Sequence, residues 1–483
     1  DFGNFKSEIL PGAAFAGGQS YSKTITEPSV LPVCINETDF SDASDESSIT
    51  FRSADQNHTL NKLVKDRYYY IRADQPGTIG LNCDKKFIVG DPIAIQQSSP
   101  TSRKLVICLF VDSLTWEITN DASFAEYMPN TARFFSKGTI FENCYSWGNW
   151  TLTSAASIVS GLNIKHHGMF HPNRNTPLGS SYKVLAEYFN EAGYLTFQSC
   201  GNWRKTPGYG YVRGFDRSIY KAEMGIEETL YPFFDHLQAF PERSHFAWMS
   251  LNDAHHNMRL TPEISVQTDL EPQHQNYADV GGTARRKYTR DENKTARYLK
   301  ELGKIDFHLN LLFSYLETEY TDEEILVCLV SDHGVGYYGN QSAKLDRYET
   351  HTAFMIRGGG VPATVSDELT QNIDLLPTLL HFAGLESKAK IDGRLPAIFG
   401  NQPPRETVAS EILFPGTPYV ASVKDKEFDF RVQSINPVDD NGTINLDDCE
   451  VSLYQGKDYL TDLKSSHAGI VERYKKIAFG LQK

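Results

Sequence analysis

Two unbroken apolar runs dominate the hydrophobic pattern of the chain. Leu105-Val106-Ile107-Cys108-Leu109-Phe110-Val111 ends at Asp112, and Ile325-Leu326-Val327-Cys328-Leu329-Val330 ends at Ser331-Asp332-His333-Gly334. A strand with one solvated face alternates apolar and polar residues. A continuous run of this length fits a central strand buried on both faces. Helical stretches such as 292–318 alternate with further strand candidates between the two runs. The pattern predicts an α/β domain with a doubly wound, mostly parallel central sheet flanked by helices. In such sheets ligands bind beyond the carboxyl ends of the strands, so Asp112, Asp332 and His333 fall on the functional edge.

The flanks read differently. Residues 1–100 are polar and turn-rich, with short β-prone runs such as Tyr68-Tyr69-Tyr70-Ile71-Arg72 and Lys86-Phe87-Ile88-Val89. They predict a β-rich accessory module, which would either bind a carbohydrate or pack against the main domain to shape the mouth of its site. The Ser-, Thr- and Pro-rich segment 96–102 reads as a linker, because such residues build no buried strand. The main domain is then 101–483, with a small C-terminal subdomain from about 405. Within that subdomain, 425–455 predicts a small antiparallel sheet closed by a helix near 464–480.

Charge and composition narrow the partners. Lys and Arg total 47 against 61 Asp and Glu, a formal charge of −14, which disfavours a polyanion and excludes nucleic acid as a bulk partner. No run of about 18 apolar residues occurs, so no transmembrane segment is expected. The chain starts at Asp1 without a basic and apolar leader, so any targeting signal is expected to have been removed or to lie upstream. The compartment is not readable beyond a slight extracytoplasmic lean, and neither is the oligomeric state. Of seven cysteines, Cys108 and Cys328 sit in apolar runs as buried thiols, while Cys34 and Cys83 are placed to pair in the N-terminal region.

A strand-end Asp often does no more than cap the next helix. Two carboxylates and an imidazole delivered together by two buried strands form a mixed oxygen and nitrogen set suited to Zn or Mn, with Mg or Ca less comfortable beside the imidazole. Between the runs, Asn149-Trp150-Thr151-Leu152-Thr153-Ser154 leads small hydroxyl residues into an apolar helix that stops at Gly161. Ser and Thr commonly start helices as caps. A hydroxyl at that position also gains from the positive helix end, which favours the alkoxide needed to attack phosphorus or sulfur.

The ordered series of pieces resembles the sulfatase-like branch of the alkaline phosphatase superfamily over roughly residues 104–475. The pieces are Val111-Asp112; Thr151 with Ser160-Gly161-Leu162 and His167-Gly168; Gly201-Asn202-Trp203-Arg204 before Arg213-Gly214-Phe215-Asp216; Asn252-Asp253-Ala254-His255; Ser331-Asp332-His333-Gly334; Ile356-Arg357-Gly358; and Ile373-Asp374-Leu375-Leu376-Pro377-Thr378-Leu379-Leu380. The resemblance implies Asp112, Asp332 and His333 as metal ligands, and Thr151 as the nucleophile that also touches the metal. It implies His255 and His351 as substrate-holding or leaving-group residues, while Arg204, whose planar fork suits two phosphoryl oxygens, is the candidate charge stabiliser and Asn202 a neutral donor by their own chemistry. Lys344 is a further candidate on the same side.

Departures from the family pattern shape the expected chemistry. Sulfatases oxidise a Cys or Ser in a C/S-x-P-x-R motif to formylglycine, and the corresponding stretch Thr151-Leu152-Thr153-Ser154-Ala155 begins with Thr and has neither Cys, Pro nor Arg. Thr is the nucleophile in relatives that hydrolyse phosphodiesters or transfer phosphoglycerol and phosphoethanolamine groups. The family's second Asp is Ser113 here, and its "GKWH" is Gly201-Asn202-Trp203-Arg204. A second metal would need Asp253 and His351, but Asn257 occupies the position four residues after Asp253, leaving His255 or His256 to substitute, so one divalent ion is expected over two. The expected function is metal-dependent phosphoryl transfer through a phospho-Thr151 intermediate, by a phosphodiester hydrolase or phosphotransferase. Its substrate would be a phosphorylated small molecule, lipid head group or glycan, with loop 257–290 choosing the acceptor. The rivals are a sulfate ester hydrolase and a silent binding protein on the same fold.

Overall fold

The computed structural model describes residues 6–36, 47–53, 56–64, 67–95, 103–116, 124–174, 177–255, 292–335 and 344–481. The expected linker at 96–102 and loop 257–290 lie outside these residues, as does His256.

The two apolar runs form neighbouring parallel strands, Leu105–Val111 and Ile325–Val330, paired in register from Leu105 opposite Ile325 to Phe110 opposite Val330. Every residue of both strands is buried, as the unbroken hydrophobic pattern requires. On the other side of Leu105–Val111 lies His245–Leu251, followed by Leu195–Cys200 and Arg217–Tyr220, all parallel. Beyond Ile325–Val330 the sheet continues with His351–Gly358, which is antiparallel, then Thr139–Tyr145 and Thr364–Gln371. The sheet is thus mostly parallel, as expected.

Alternate residues of Leu105–Val111 feed two cores. Leu105, Ile107, Leu109 and Val111 face Phe134, Phe233, Leu309 and Phe313, from the helices Pro129–Phe135, Ile226–Ala239 and Glu292–Glu319. Val106, Cys108 and Phe110 face Leu152, Ala155, Phe189 and Leu379, from the helices Thr151–Ser160, Leu185–Glu191 and Leu375–Ala383. Burying such aliphatic and aromatic side chains contributes roughly 1.5–3 kcal/mol each, and covering both faces commits the strand tips to a fixed geometry. That rigidity positions the residues just beyond the tips.

The C-terminal subdomain is a four-stranded antiparallel sheet among the described residues, closed by the helix Ala468–Gly480 through Tyr474 and Ala478. Its strands Val408–Ile412 and Pro418–Lys424 precede the predicted pair. The N-terminal region forms two antiparallel sheets sharing a core of Leu31, Val33, Ile35, Phe51, Leu81 and Phe87. Its first described strand, Ser7–Ile9, joins the edge of the central sheet, antiparallel to Arg217–Tyr220. The remaining described contacts of this region gather at Leu195, Phe240 and Arg243, at the starts of central strands. This corrects the expectation that it shapes the mouth of the site, which lies at the opposite ends of those strands. Cys34 and Cys83 also form no disulfide; their thiols donate to the carbonyls of Ile35 and Ser48.

Candidate active site

Asp112, Asp332 and His333 meet at the tips of the two central strands, each buried, with one ligand atom from each lying within 4.8 Å of the others. The backbone between them is tied down locally. Ser113 adopts φ 63°, a left-handed conformation that costs a non-glycine residue energy and is sustained only where surroundings fix it. Its N–H donates to Asp332 Oδ1 at 3.0 Å and its hydroxyl to Asp112 Oδ1 at 2.9 Å, so one residue bridges both carboxylates. Tyr298, from the long helix Glu292–Glu319, donates its hydroxyl to the Ser113 carbonyl at 2.9 Å. Asn372 donates to the Asp332 carbonyl at 3.1 Å.

The residues fit a divalent cation. His333 Nδ1 lies 2.8 Å from the Gly334 carbonyl, which only accepts, so Nδ1 carries a proton and Nε2 is the nitrogen turned toward the carboxylates, 3.4 Å from Asp332 Oδ2. Among the described residues, Asp332 Oδ2 is buried and accepts no hydrogen bond, with His333 Nε2 3.4 Å away. Burial would push the Asp112 carboxyl up, yet His255, His333, Lys205 and the Ser113 hydroxyl together hold it below the usual carboxylate range. Burial and the neighbouring Asp112 charge push Asp332 the other way. Two close carboxylates pulled apart in this manner, with an orphaned oxygen, are what a cation would satisfy.

Thr151 is the first residue of the helix Thr151–Ser160, and Trp150 occupies the capping position. Its hydroxyl lies 3.4 Å from Asp112 Oδ2 and 3.4 Å from His333 Nε2. The oxygen therefore faces the carboxylate and imidazole instead of capping its own helix, and it does so at the positive helix end. The helix stops at Gly161, whose φ of 67° is the left-handed ending that glycine adopts without strain.

Other predicted residues divide. Asn202 donates its amide to Asp112 Oδ2, and its Oδ1 accepts the Arg204 N–H at 2.7 Å, so it is part of the centre. Arg204 is half-buried between the Trp203 and Trp150 rings, at 3.7 and 5.3 Å from their centroids, and donates to the Pro172 carbonyl at 2.8 Å. His255 acts electrostatically on Asp112 from the loop after His245–Leu251. His351 stacks on Tyr145 at 4.8 Å and meets the Glu142 carbonyl at 2.6 Å. Asp253 accepts Lys304 Nζ at 2.8 Å. Asp253 and His351 are thus engaged with separate partners, and the metal-binding group found among the described residues is that of Asp112, Asp332 and His333. Lys344 is half-buried, with its carbonyl accepting from Arg431.

Two residues escaped sequence reasoning. Ser113 was visible only as a departure from the family pattern. Lys205 had no signal, because a lysine after Trp-Arg reads as surface, yet it is 2% exposed with Nζ on Ser250 Oγ at 3.0 Å.

Comparison with known proteins bears on the family and the fold. A family model described as Sulfatase matches residues 104–385. An extracellular sulfatase Sulf-1 homolog of Caenorhabditis elegans is 33% identical over 103 residues, 20% of this chain and 14% of its own length. An extracellular sulfatase SULF-1 homolog of Drosophila melanogaster is 26% identical over 136 residues, 27% of this chain and 11% of its own. The matches thus span a small part of those longer relatives. Among solved structures, one determined with its substrate D-glucosamine-2-N,6-O-disulfate has a TM-score of 0.58 at 15% identity, covering 79% of this chain and 97% of that one. The phosphonate monoester hydrolase of Agrobacterium radiobacter has a TM-score of 0.57 at 15% identity, covering 79% and 95%. With a family model matching more than half of its length, laid over this sheet and its strand-tip cluster, the chain belongs to the sulfatase family, in the sulfatase-like branch of the alkaline phosphatase superfamily.

Proposed function

We propose that the protein is a metal-dependent phosphoryl-transfer enzyme that cleaves an anionic ester through a covalent phospho-Thr151 intermediate. The observation that carries this is the Thr151 hydroxyl, 3.4 Å from both Asp112 Oδ2 and His333 Nε2 at the start of a buried helix. A divalent ion held by Asp112, Asp332 and His333 would supply Lewis acidity that favours the Thr151 alkoxide and offsets charge on the transferred group. Thr151 Oγ gives up its proton to solvent water and forms the new bond to phosphorus as the bond to the leaving oxygen breaks. His255 delivers the proton that oxygen needs, while the Asn202 amide and the uncommitted N–H groups of Arg204 steady the equatorial oxygens. Water or an acceptor alcohol then attacks phosphorus and releases Thr151, giving hydrolysis or transfer respectively.

The phosphoryl reading rests on the side chain itself. A threonine has no route to formylglycine, and a sulfated threonine lacks the easy breakdown of a formylglycine hydrate. Sulfate ester hydrolysis is the second reading, favoured by the names of the curated relatives. The sulfated sugar of one neighbour and the phosphonate monoesters of another support an ester of a glycan or small head group as the substrate.

The test is turnover of a phosphate monoester, a phosphate diester, a phosphonate monoester and a sulfate ester by chelator-stripped protein resupplied with Zn, Mn, Mg or Ca. Metal-dependent cleavage of a phosphorus ester is expected, falling by about 10³-fold or more in Thr151→Ala and only partly in Thr151→Ser, which keeps a hydroxyl. Dominant sulfate cleavage would replace the phosphoryl reading with the second one. Full activity in Thr151→Ala would remove the covalent step.

A further inference from the structure

Four neighbouring parallel strands end level with one another at the metal cluster. Cys200 lies opposite Ser250, Ser250 opposite Phe110, and Phe110 opposite Val330. Two residues further along each chain stand Asn202, Asn252, Asp112 and Asp332, in strand order across the sheet. The pairing holds to this level, since the Asp112 N–H donates to the Leu251 carbonyl at 2.9 Å. Phe246 and Trp248 pack on the face covered by the helix Thr151–Ser160, and strand alternation puts Asn252 on that same face, where Thr151 meets Asp112. Asp253, next along, is engaged by Lys304 of the helix on the opposite face, at 2.8 Å.

The row has two halves, two carboxylates of the metal cluster and two neutral amides. Asn202 is committed at both ends, to Asp112 Oδ2 and to the Arg204 N–H. Asn252 is 4% exposed, and neither its Oδ1 nor its Nδ2 has a hydrogen-bond partner among the described residues. A buried amide without partners costs stability that an apolar side chain of the same size would not. The backbone nevertheless makes room for it: a Cβ on Gly201 would stand 2.8 Å from Asn252 Nδ2. By strand order Asn252 lies on the side of Asp112 away from Asp332, between Asp112 and the Asn202 donor. An N–H there meets the oxygens of an anion held against Thr151, rather than the cation on the far side.

Resting on the reading that an anionic ester is held at this centre, we propose that Asn252 is a substrate-contacting residue. Its Nδ2 donates a hydrogen bond to a non-bridging oxygen of the tetrahedral phosphorus or sulfur group that Thr151 attacks, and its Oδ1 remains an acceptor for a hydroxyl of the same substrate.

The test compares wild type, Asn252→Leu, Asn252→Asp and Asn252→Ala. Chelator-treated proteins are melted, their metal affinity is measured by competition with a chromophoric chelator, and the proteins loaded with the ion they bind best are titrated calorimetrically with inorganic phosphate, vanadate and sulfate. Asn252→Leu is expected to melt at or above the wild-type temperature, because it removes a buried amide that bonds nothing in the protein. Its affinity for the anion that wild type binds best should fall about tenfold or more, with metal affinity within about twofold of wild type. Asn252→Asp should lose more anion affinity still, since a carboxylate repels the anion and offers it no donor. Melting of Asn252→Leu several degrees below wild type would make the amide a structural group and overturn the proposal. Wild-type anion affinity in the variants, or a wild type that binds none of the three anions, would overturn it as well. So would a metal affinity that falls about tenfold, which would make Asn252 a metal ligand. If Asn252→Leu does not fold, Asn252→Ala decides on anion affinity, by the same loss or its absence. None of these readouts involves turnover, so a failure of the phospho-Thr151 reading, seen as full activity in Thr151→Ala, is separately visible.

Discussion

Ser113 shows how one side chain replaces a ligand with a brace. Where the family places a second Asp, this chain has a hydroxyl that donates to Asp112 Oδ1 and an amide that donates to Asp332 Oδ1. A donor here lowers the charge carried by the centre and fixes the two carboxylates relative to each other, at the cost of a left-handed backbone. Ser113→Ala removes the buried hydroxyl while keeping the strain, with an expected loss of about 1 kcal/mol in stability and a several-fold weaker metal affinity. Ser113→Gly loses the same hydrogen bond but relieves the backbone, so it should unfold at a higher temperature than Ser113→Ala, by roughly 1 kcal/mol in stability, with equal metal affinity. Equal melting of the two variants, read by differential scanning calorimetry of chelator-treated protein, would show that the φ of this residue carries no strain.

At the scale of elements, the helix Thr151–Ser160 is held in place by His167, which is buried beyond the Gly161 stop. Its Nδ1 accepts from Met169 N at 2.9 Å and its Nε2 meets Ser157 Oγ at 2.9 Å. Burial, with the nearby His166 adding to it, pulls the His167 pKa from 6.5 down to about 3. Between those values the unfolded chain binds a proton that the folded chain refuses, so stability falls as pH drops from 6.5 toward 3. The slope from this one group is about 1.4 kcal/mol per pH unit. His167→Gln is expected to melt lower than wild type at pH 7.5 and to lose less stability on acidification to pH 4.5. Buried His245, lowered to about 4, supplies a similar slope in both proteins, so the difference between them isolates His167. Parallel melting curves for the two proteins would contradict this reading. The same elements show what sequence conveys. Leu105–Val111 and Ile325–Val330 are legible because burial on both faces leaves no polar position. Thr364–Gln371, with Ser366, Asp367 and Glu368 in its middle, sits at the sheet edge and carries no such pattern. Asp112, Thr151, Asp332 and His333 are legible as chemistry at element ends. Lys205 is not, since its burial comes from a turn geometry that no periodicity announces.

For the whole molecule, the question is how the N-terminal sheets are joined to a site they do not border. Glu8 is the junction: it lies on the edge strand Ser7–Ile9, accepts Arg217 Nε at 2.5 Å from the central sheet, and accepts the hydroxyl of Tyr70 from the N-terminal sheets. Tyr70 packs edge-on against Phe240 at 5.7 Å, Arg243 donates to the Ala94 carbonyl at 2.5 Å, and Val30, Ile95, Leu195 and Phe240 close an apolar patch between the two bodies. Arg217 is nearly covered, so removing its carboxylate leaves a buried guanidinium with its charge poorly answered, a larger loss than that of an exposed pair. Glu8→Ala is therefore expected to destabilise the protein by about 2–3 kcal/mol, and Glu8→Gln by less, because the amide oxygen still accepts from Arg217. Since these contacts sit at the sheet edge and at strand starts, away from Asp112, Thr151 and Asp332, metal affinity and KM should stay within about twofold of wild type at temperatures where the variants are folded. A melting shift with unchanged metal competition would assign the N-terminal sheets to the support of the domain. A change in metal affinity without a melting shift would mean that this junction reaches the strand tips, and would require a direct mechanical link through the strand Arg217–Tyr220 and its neighbours.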